Sequence, residues 1–156
     1  VGHMVVDPQG PPCPCGRRGC WERFASGSGL GSLARQAAQA GRAERVVALA
    51  GGDAEAVRGE HVSAALAEGD GEAAVIVAEF AEWLALGLAN LAYIFDPDAV
   101  VVGGGLVEMG EALFAPTRDA LARQLPAASA GLPLLPARLG ERAGAVGAAF
   151  LAAGAG

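Results

Sequence analysis

Every cysteine of this 156-residue chain falls within one eight-residue stretch, "CPCGRRGC", at positions 13 to 20. Three thiols cannot all pair, and a Cys13–Cys15 disulfide would close a tight, strained ring. Thiols gathered this closely in a chain read as cytosolic suit a metal better than a cross-link. Zinc takes four ligands, sulfur and imidazole nitrogen, at the corners of a tetrahedron. Cys13, Cys15 and Cys20 supply three. Of the two histidines, His3 and His61, His3 stands ten residues before Cys13, across a proline- and glycine-rich turn that can fold it back. Gly16 and Gly19 let a short loop wrap an ion. Three thiolates give a zinc centre an excess of about one negative charge, which Arg17 and Arg18 are placed to offset. These residues point to a structural Zn²⁺ held by His3, Cys13, Cys15 and Cys20, with no open position for a reactant. A redox switch and three unrelated thiols are the competing readings.

Other candidates are weaker on their own residues. Glu22, two past Cys20, reads as a carboxylate favoured at a helix N-terminus. Gly103, Gly104 and Gly105 read as a strand-to-helix turn. His61 opens a short helix and reads as structural or merely exposed.

The elements that must position these residues follow from periodicity and punctuation. Asp7-Pro8, Gly10-Pro11-Pro12 and Gly16 break up the first twenty residues, leaving "MVV" at 4 to 6 as a short strand. Residues 22 to 40 turn helical, with Gly27, Gly29 and Gly31 weakening the first half. Helices are expected over 42 to 50 and 61 to 68. The clearest runs from 70 to 95, where Phe80, Leu84, Leu88, Leu91 and Phe95 line one face and Asp96-Pro97 stops it. "AVVVGGG" at 99 to 105 reads as a buried strand entering a glycine turn. Residues 110 to 125 are helical, with Leu113, Thr117, Leu121 and Gln124 on one side and Pro116 starting a new segment. Residues 132 to 140 are extended, and a small alanine-rich helix closes the chain over 141 to 153. Helices alternating with short strands imply an α/β fold, and there is no internal repeat.

Composition sets the bounds. Hydrophobic residues make up 53%, enough for a sizeable core, and charged residues 18%, below the soluble average of about 25%. The net charge of -6 argues against a broad nucleic-acid footprint. No charge-free apolar run approaches the roughly 20 residues of a membrane span, and no signal peptide is visible, which favours the cytoplasm. All eleven basic residues are arginine, so a Walker-type phosphate loop, which needs lysine, is excluded.

The stretch "GHMVVDPQGPPCPCGRRGCWERFASGSGL" resembles the zinc-loop signature of the ROK family of bacterial sugar repressors and sugar kinases. The shared elements are Gly2-His3, Cys13, Cys15, Gly16, Gly19, Cys20 and Glu22. "LALGLANLAYIFDPDAVVVGGGL" and "LGERAGAVGAAFLAA" are similar to the family's C-terminal segments, so the likeness spans nearly the whole chain. The tryptophan of "GCWERFASG" is most similar to the glucokinase branch.

The resemblance implies the actin-like, ribonuclease H-like ATPase fold, of which residues 1–156 would be the C-terminal lobe: residues 1–22 a zinc and sugar-binding loop, residues 23–156 helices and short strands. It implies phosphoryl transfer from ATP, with Mg²⁺, to a hexose, most simply glucose, and a dimeric or tetrameric assembly. His3 would serve zinc through one ring nitrogen and a sugar hydroxyl through the other, and Glu22 would accept hydrogen bonds from the sugar. Gly103, Gly104 and Gly105 would let adenosine approach the backbone. Departures fall at the front. The family's glutamate two residues before the Gly-His pair, its Asp-x-Gly-Gly-Thr phosphate loop and the Asn-Asp pair carrying the catalytic base are not in these residues, so the N-terminal lobe is expected to be missing and this chain inactive by itself. The sugar-sensing half of a ROK repressor is the alternative.

Overall fold

Caps and apolar periodicity build a helical domain around one long central helix. A computed structural model describes residues 1–127, 129 and 131–154, the side chain of Glu141 excepted. After the cysteine loop, a 3-10 turn at Trp21–Arg23 leads into α1, Gly27–Gln39. The Ser26 hydroxyl caps α1 by accepting from the Gly29 N–H at 3.1 Å. Its early glycines fit because the backbone passes close: a Cβ on Gly29 would lie 2.2 Å from the Phe24 carbonyl oxygen. Helices α2, Glu44–Leu49, and α3, Gly59–Ala67, follow. His61 serves structure, as expected: its Nδ1 accepts from the Arg58 N–H at 3.1 Å and caps α3.

The central helix α4, Gly71–Phe95, is capped by Asp70, whose carboxylate accepts from Ala73 N–H at 2.7 Å. Phe80, Leu84 and Leu88 are buried as the periodicity requires, but the stripe turns to solvent at its end, where Phe95 is 66% exposed. Asp96 adopts a left-handed φ of 45° and ends the helix before Pro97. By length and mean hydropathy, 1.6 over an 18-residue window, α4 could cross a bilayer. The sequence expectation that no such span exists required a run free of charge, which averaged hydropathy does not. Half of that window is buried, with α1, α3 and α5 packed against the helix.

Strand β1, Val100–Val102, pairs in parallel with β2, Leu134–Pro136, placing Val100 opposite Leu134. The strand expected to be buried is not: Val101 is 63% exposed, because two strands are covered on one side only. Helix α5, Glu111–Gln124, links them and runs through Pro116 without starting a new segment. The proline removes one N–H from the ladder, and the next turn is tied by the Thr117 hydroxyl donating to the Leu113 carbonyl at 2.7 Å. Leu113, Thr117 and Leu121 are buried as expected, and Gln124 is half-buried.

The alanine-rich closing helix is α6, Ala143–Gly154, and it has no buried residue among those described. The expected strand at 4 to 6 is a single antiparallel bridge from Val5 to Cys20. Phe80, Leu30, Leu113, Val46 and Val62 head a core shared by α1 to α5, each burial contributing about 1.5–3 kcal/mol. Together they give an α/β chain with a small sheet.

Candidate metal centre and adjoining cleft

The loop closes on itself by backbone bonds before any side chain acts. Gly19 N–H donates to the Pro11 carbonyl at 2.8 Å, Cys13 N–H to Arg17 at 2.8 Å, and Val6 N–H to Gly19 at 2.9 Å. Gly19 has a φ of 64°, and a Cβ there would lie 1.5 Å from the Asp7 carbonyl oxygen, so no side chain fits. Trp21 N–H donates to the Met4 carbonyl at 2.8 Å and Glu22 N–H to the Gly2 carbonyl at 2.9 Å. These two bonds bracket His3 and bring it back over the loop, as the sequence predicts. Arg17 fixes the His3 carbonyl from the other side, donating at 2.7 Å.

One donor atom each from His3, Cys13, Cys15 and Cys20 lies within 4.8 Å of all the others. Zinc bonded tetrahedrally at about 2.3 Å to sulfur and about 2.0 Å to nitrogen sets corner separations of about 3.8 Å (S to S) and about 3.5 Å (S to N). Cys15 Sγ and Cys20 Sγ are 3.5 Å apart, and Cys13 Sγ and His3 Nδ1 are 3.6 Å apart. The donor set and its spacing therefore fit a zinc ion. None of the three cysteines is in a disulfide. The Arg17 backbone N–H, donating to the Cys15 thiolate, draws that group down to about 6. Burial pushes the Cys20 thiol up to about 12, in keeping with its complete enclosure.

Glu22 stands at the rim of this quartet. Its Oε1 is 3.5 Å from His3 Nδ1 and accepts from the Cys13 thiol at 3.8 Å. Both side chains remain about half exposed, 51% for His3 and 44% for Glu22, so a solute can reach them.

Gly103, Gly104 and Gly105 lie elsewhere. They line an open cleft of about 1230 Å³, with Phe80 and Leu84 of α4 on one wall and the start of α1 on another. His3 and Glu22 are not among its lining residues. Gly104, at φ 100°, makes the turn. Sequence reasoning missed the rest of the cleft, including Ser26, Gly27, Arg35 and Arg58. The signal for Ser26 and Gly27 was present in "SGSG" at 26 to 29, which read as a weakened helix rather than a wall; Arg35 and Arg58 carried none.

A Cys/His quartet on a glycine-shaped loop, an open cleft and a small parallel sheet together describe an α/β chain with a candidate metal centre. The ROK family model matches residues 1–155, and the chain belongs to the ROK family. A glucokinase of Streptomyces coelicolor is 42% identical over 159 aligned positions, which take in 97% of this chain and 49% of that protein. The crystal structure of a ROK family glucokinase from Streptomyces griseus, in complex with glucose and AMPPNP, has a TM-score of 0.84 at 40% identity, covering 96% of this chain and 49% of that one. A ROK family transcriptional regulator, a homologue of the E. coli MLC protein, has a TM-score of 0.69 at 27% identity, covering 86% of this chain and 33% of that one. The chain spans about half the length of the curated relatives it matches.

Proposed function

We propose that this chain is the C-terminal lobe of an ATP-dependent hexose kinase of the actin-like fold, with glucose as the hexose. Residues 1–22 form the sugar-facing loop, and residues 23–156 carry the nucleotide side. The observation that carries this reading is Glu22 beside His3 at the rim of the cysteine quartet, in a chain 42% identical to a glucokinase. The Glu22 carboxylate accepts hydrogen bonds from sugar hydroxyls. His3 turns Nδ1 to the quartet and leaves Nε2 for another hydroxyl; ligation on one nitrogen fixes the tautomer of the other. His3, Cys13, Cys15 and Cys20 would hold Zn²⁺, which when bound supplies shape to the loop and no open coordination site. Gly103 to Gly105 admit adenosine close to the backbone, with Mg²⁺ accompanying the ATP phosphates.

The base that takes the hydroxyl proton during attack on the γ-phosphate has no candidate here, since the 156 residues contain no Asn-Asp pair. On this reading these residues by themselves release no ADP. The reaction belongs to the cytoplasm, and the exposed Phe95, Phe150 and Leu151 suit burial in a larger, dimeric or tetrameric assembly.

The test is glucose-dependent ADP release by the complete kinase of which this chain would be one lobe. Glu22→Gln should raise the glucose KM at least tenfold while zinc content stays the same. Turnover at wild-type KM in that variant would remove the sugar-site reading. A second reading, the sugar-sensing half of a repressor, is favoured by the regulator of similar fold; it predicts glucose binding with no ADP release.

A further inference from the structure

Trp21, directly after the cysteine loop, ties that loop to α4. The Trp21 indole lies over Gly87, where a Cβ would sit 2.0 Å from its Cε2 and 2.3 Å from its Nε1. Its N–H donates to the Trp83 carbonyl at 2.8 Å. One turn back along α4 the Phe24 ring stacks on Trp83, with centroids 4.1 Å apart and planes 17° apart. A glycine inside a helix is unfavourable relative to alanine, and here the missing side chain has a physical use, since it is the seat of the indole. Trp21 is also the residue whose backbone N–H holds the Met4 carbonyl, and its neighbour Glu22 holds that of Gly2.

We propose that Trp21 is a positioning residue for the candidate sugar site: seated at Gly87, it fixes where Glu22 and His3 stand relative to one another and to the rigid α4. This rests on the sugar-site reading above. Trp21 needs no contact with the sugar. If the ring is pushed off Gly87, the quartet keeps its place through the loop's own backbone hydrogen bonds, such as Cys13 N–H to Arg17 and Gly19 N–H to Pro11, but the Glu22 carboxylate loses its register with the His3 ring. The same helix carries Phe80 and Leu84 into the wall of the cleft, so the seat also sets the loop against the nucleotide side.

The experiment is a double-mutant cycle on glucose affinity in that complete kinase, with zinc per chain measured in every variant. Gly87→Ala puts a methyl group into the indole and is expected to weaken glucose binding at least tenfold, with zinc content and ATP affinity unchanged. In a Trp21→Leu background, itself weakened, Gly87→Ala should add less than twofold, because the methyl no longer has a ring to displace. Trp21→Phe, which keeps a ring and gives up the N–H, should fall between wild type and Trp21→Leu, and it carries the test if Gly87→Ala does not fold. Additive effects, or unchanged glucose affinity in these variants, overturn the proposal provided Glu22→Gln is impaired. An unimpaired Glu22→Gln removes the sugar-site reading itself and the positioning role with it.

Discussion

Cys15 and Cys20 bring their sulfur atoms to 3.5 Å without bonding. A disulfide would need about 2.0 Å, whereas a shared tetrahedral ion asks for a separation close to the one found. The wrap that sets this spacing is made of backbone hydrogen bonds and two left-handed glycines, Gly16 and Gly19. The ion would then lock a loop already shaped by the chain.

The first prediction concerns the metal. Elemental analysis of the purified chain should give about one zinc per molecule. His3→Ala should retain it much more weakly, and Cys20→Ser should lose it. Because a ligand held only by the folded state stabilises it by about 2.7 kcal/mol at a hundredfold excess over Kd, a strong chelator should lower the melting temperature of the wild type and leave that of Cys20→Ser unmoved. A wild-type chain free of zinc and indifferent to chelator would rule the centre out.

Glycine substitutions separate the two turns of the loop. Gly19→Ala meets both the left-handed backbone and the Asp7 carbonyl at 1.5 Å, so the loop must open and zinc retention should collapse. Gly16→Ala has the same backbone hand but open space around it. It should cost only about 1–2 kcal/mol and keep the metal. Zinc content and thermal unfolding, measured side by side, check the ordering.

Phe80 joins core and cleft: it is 1% exposed and also lines the cleft wall. Phe80→Ala should destabilise the chain by about 3–5 kcal/mol, read as a lower urea midpoint. Phe95→Ala, at the exposed end of the same helix, should change the midpoint little.

One addressable contributor to acid sensitivity lies away from the cysteine loop. Arg45 donates to both carboxylate oxygens of Glu68, at 2.6 and 2.9 Å, and holds that carboxyl below its usual value of 4.5. A carboxyl depressed in the folded state stabilises fully above its unfolded pKa and loses that contribution as pH falls through the lower, folded value. Arg45→Gln should therefore remove a small stabilisation at neutral pH and flatten the acid limb of unfolding below about pH 4.5. Both side chains are about half exposed, so the difference should shrink in salt. Urea midpoints at pH 7 and pH 3, in low and high salt, measure it.

Much of this was legible in the residues alone. The meeting of His3 with Cys13, Cys15 and Cys20 was expected from ligand chemistry and spacing, since a proline- and glycine-rich turn gave His3 the means to return. Helix α4 followed from its period and from Asp70 and Asp96-Pro97, which are local signals. Other features were not legible, because they depend on what lies across from a residue rather than beside it. Val101 has the type of a buried strand residue, yet stands exposed because its face of the sheet has no cover among the described residues. Pro116 has the type of a helix start, yet α5 runs through it because packing of Leu113, Phe114 and Leu121 on the core outweighs one lost hydrogen bond. Gly87 reads as a weak point within a helix until Trp21, 66 positions earlier in the chain, is found seated on it. Sequence determined which atoms could bind a metal and where helices begin, since both are matters of chemistry and near neighbours. Tertiary structure alone decided which glycine receives which ring, and which apolar faces find cover, since those depend on distant segments meeting in space.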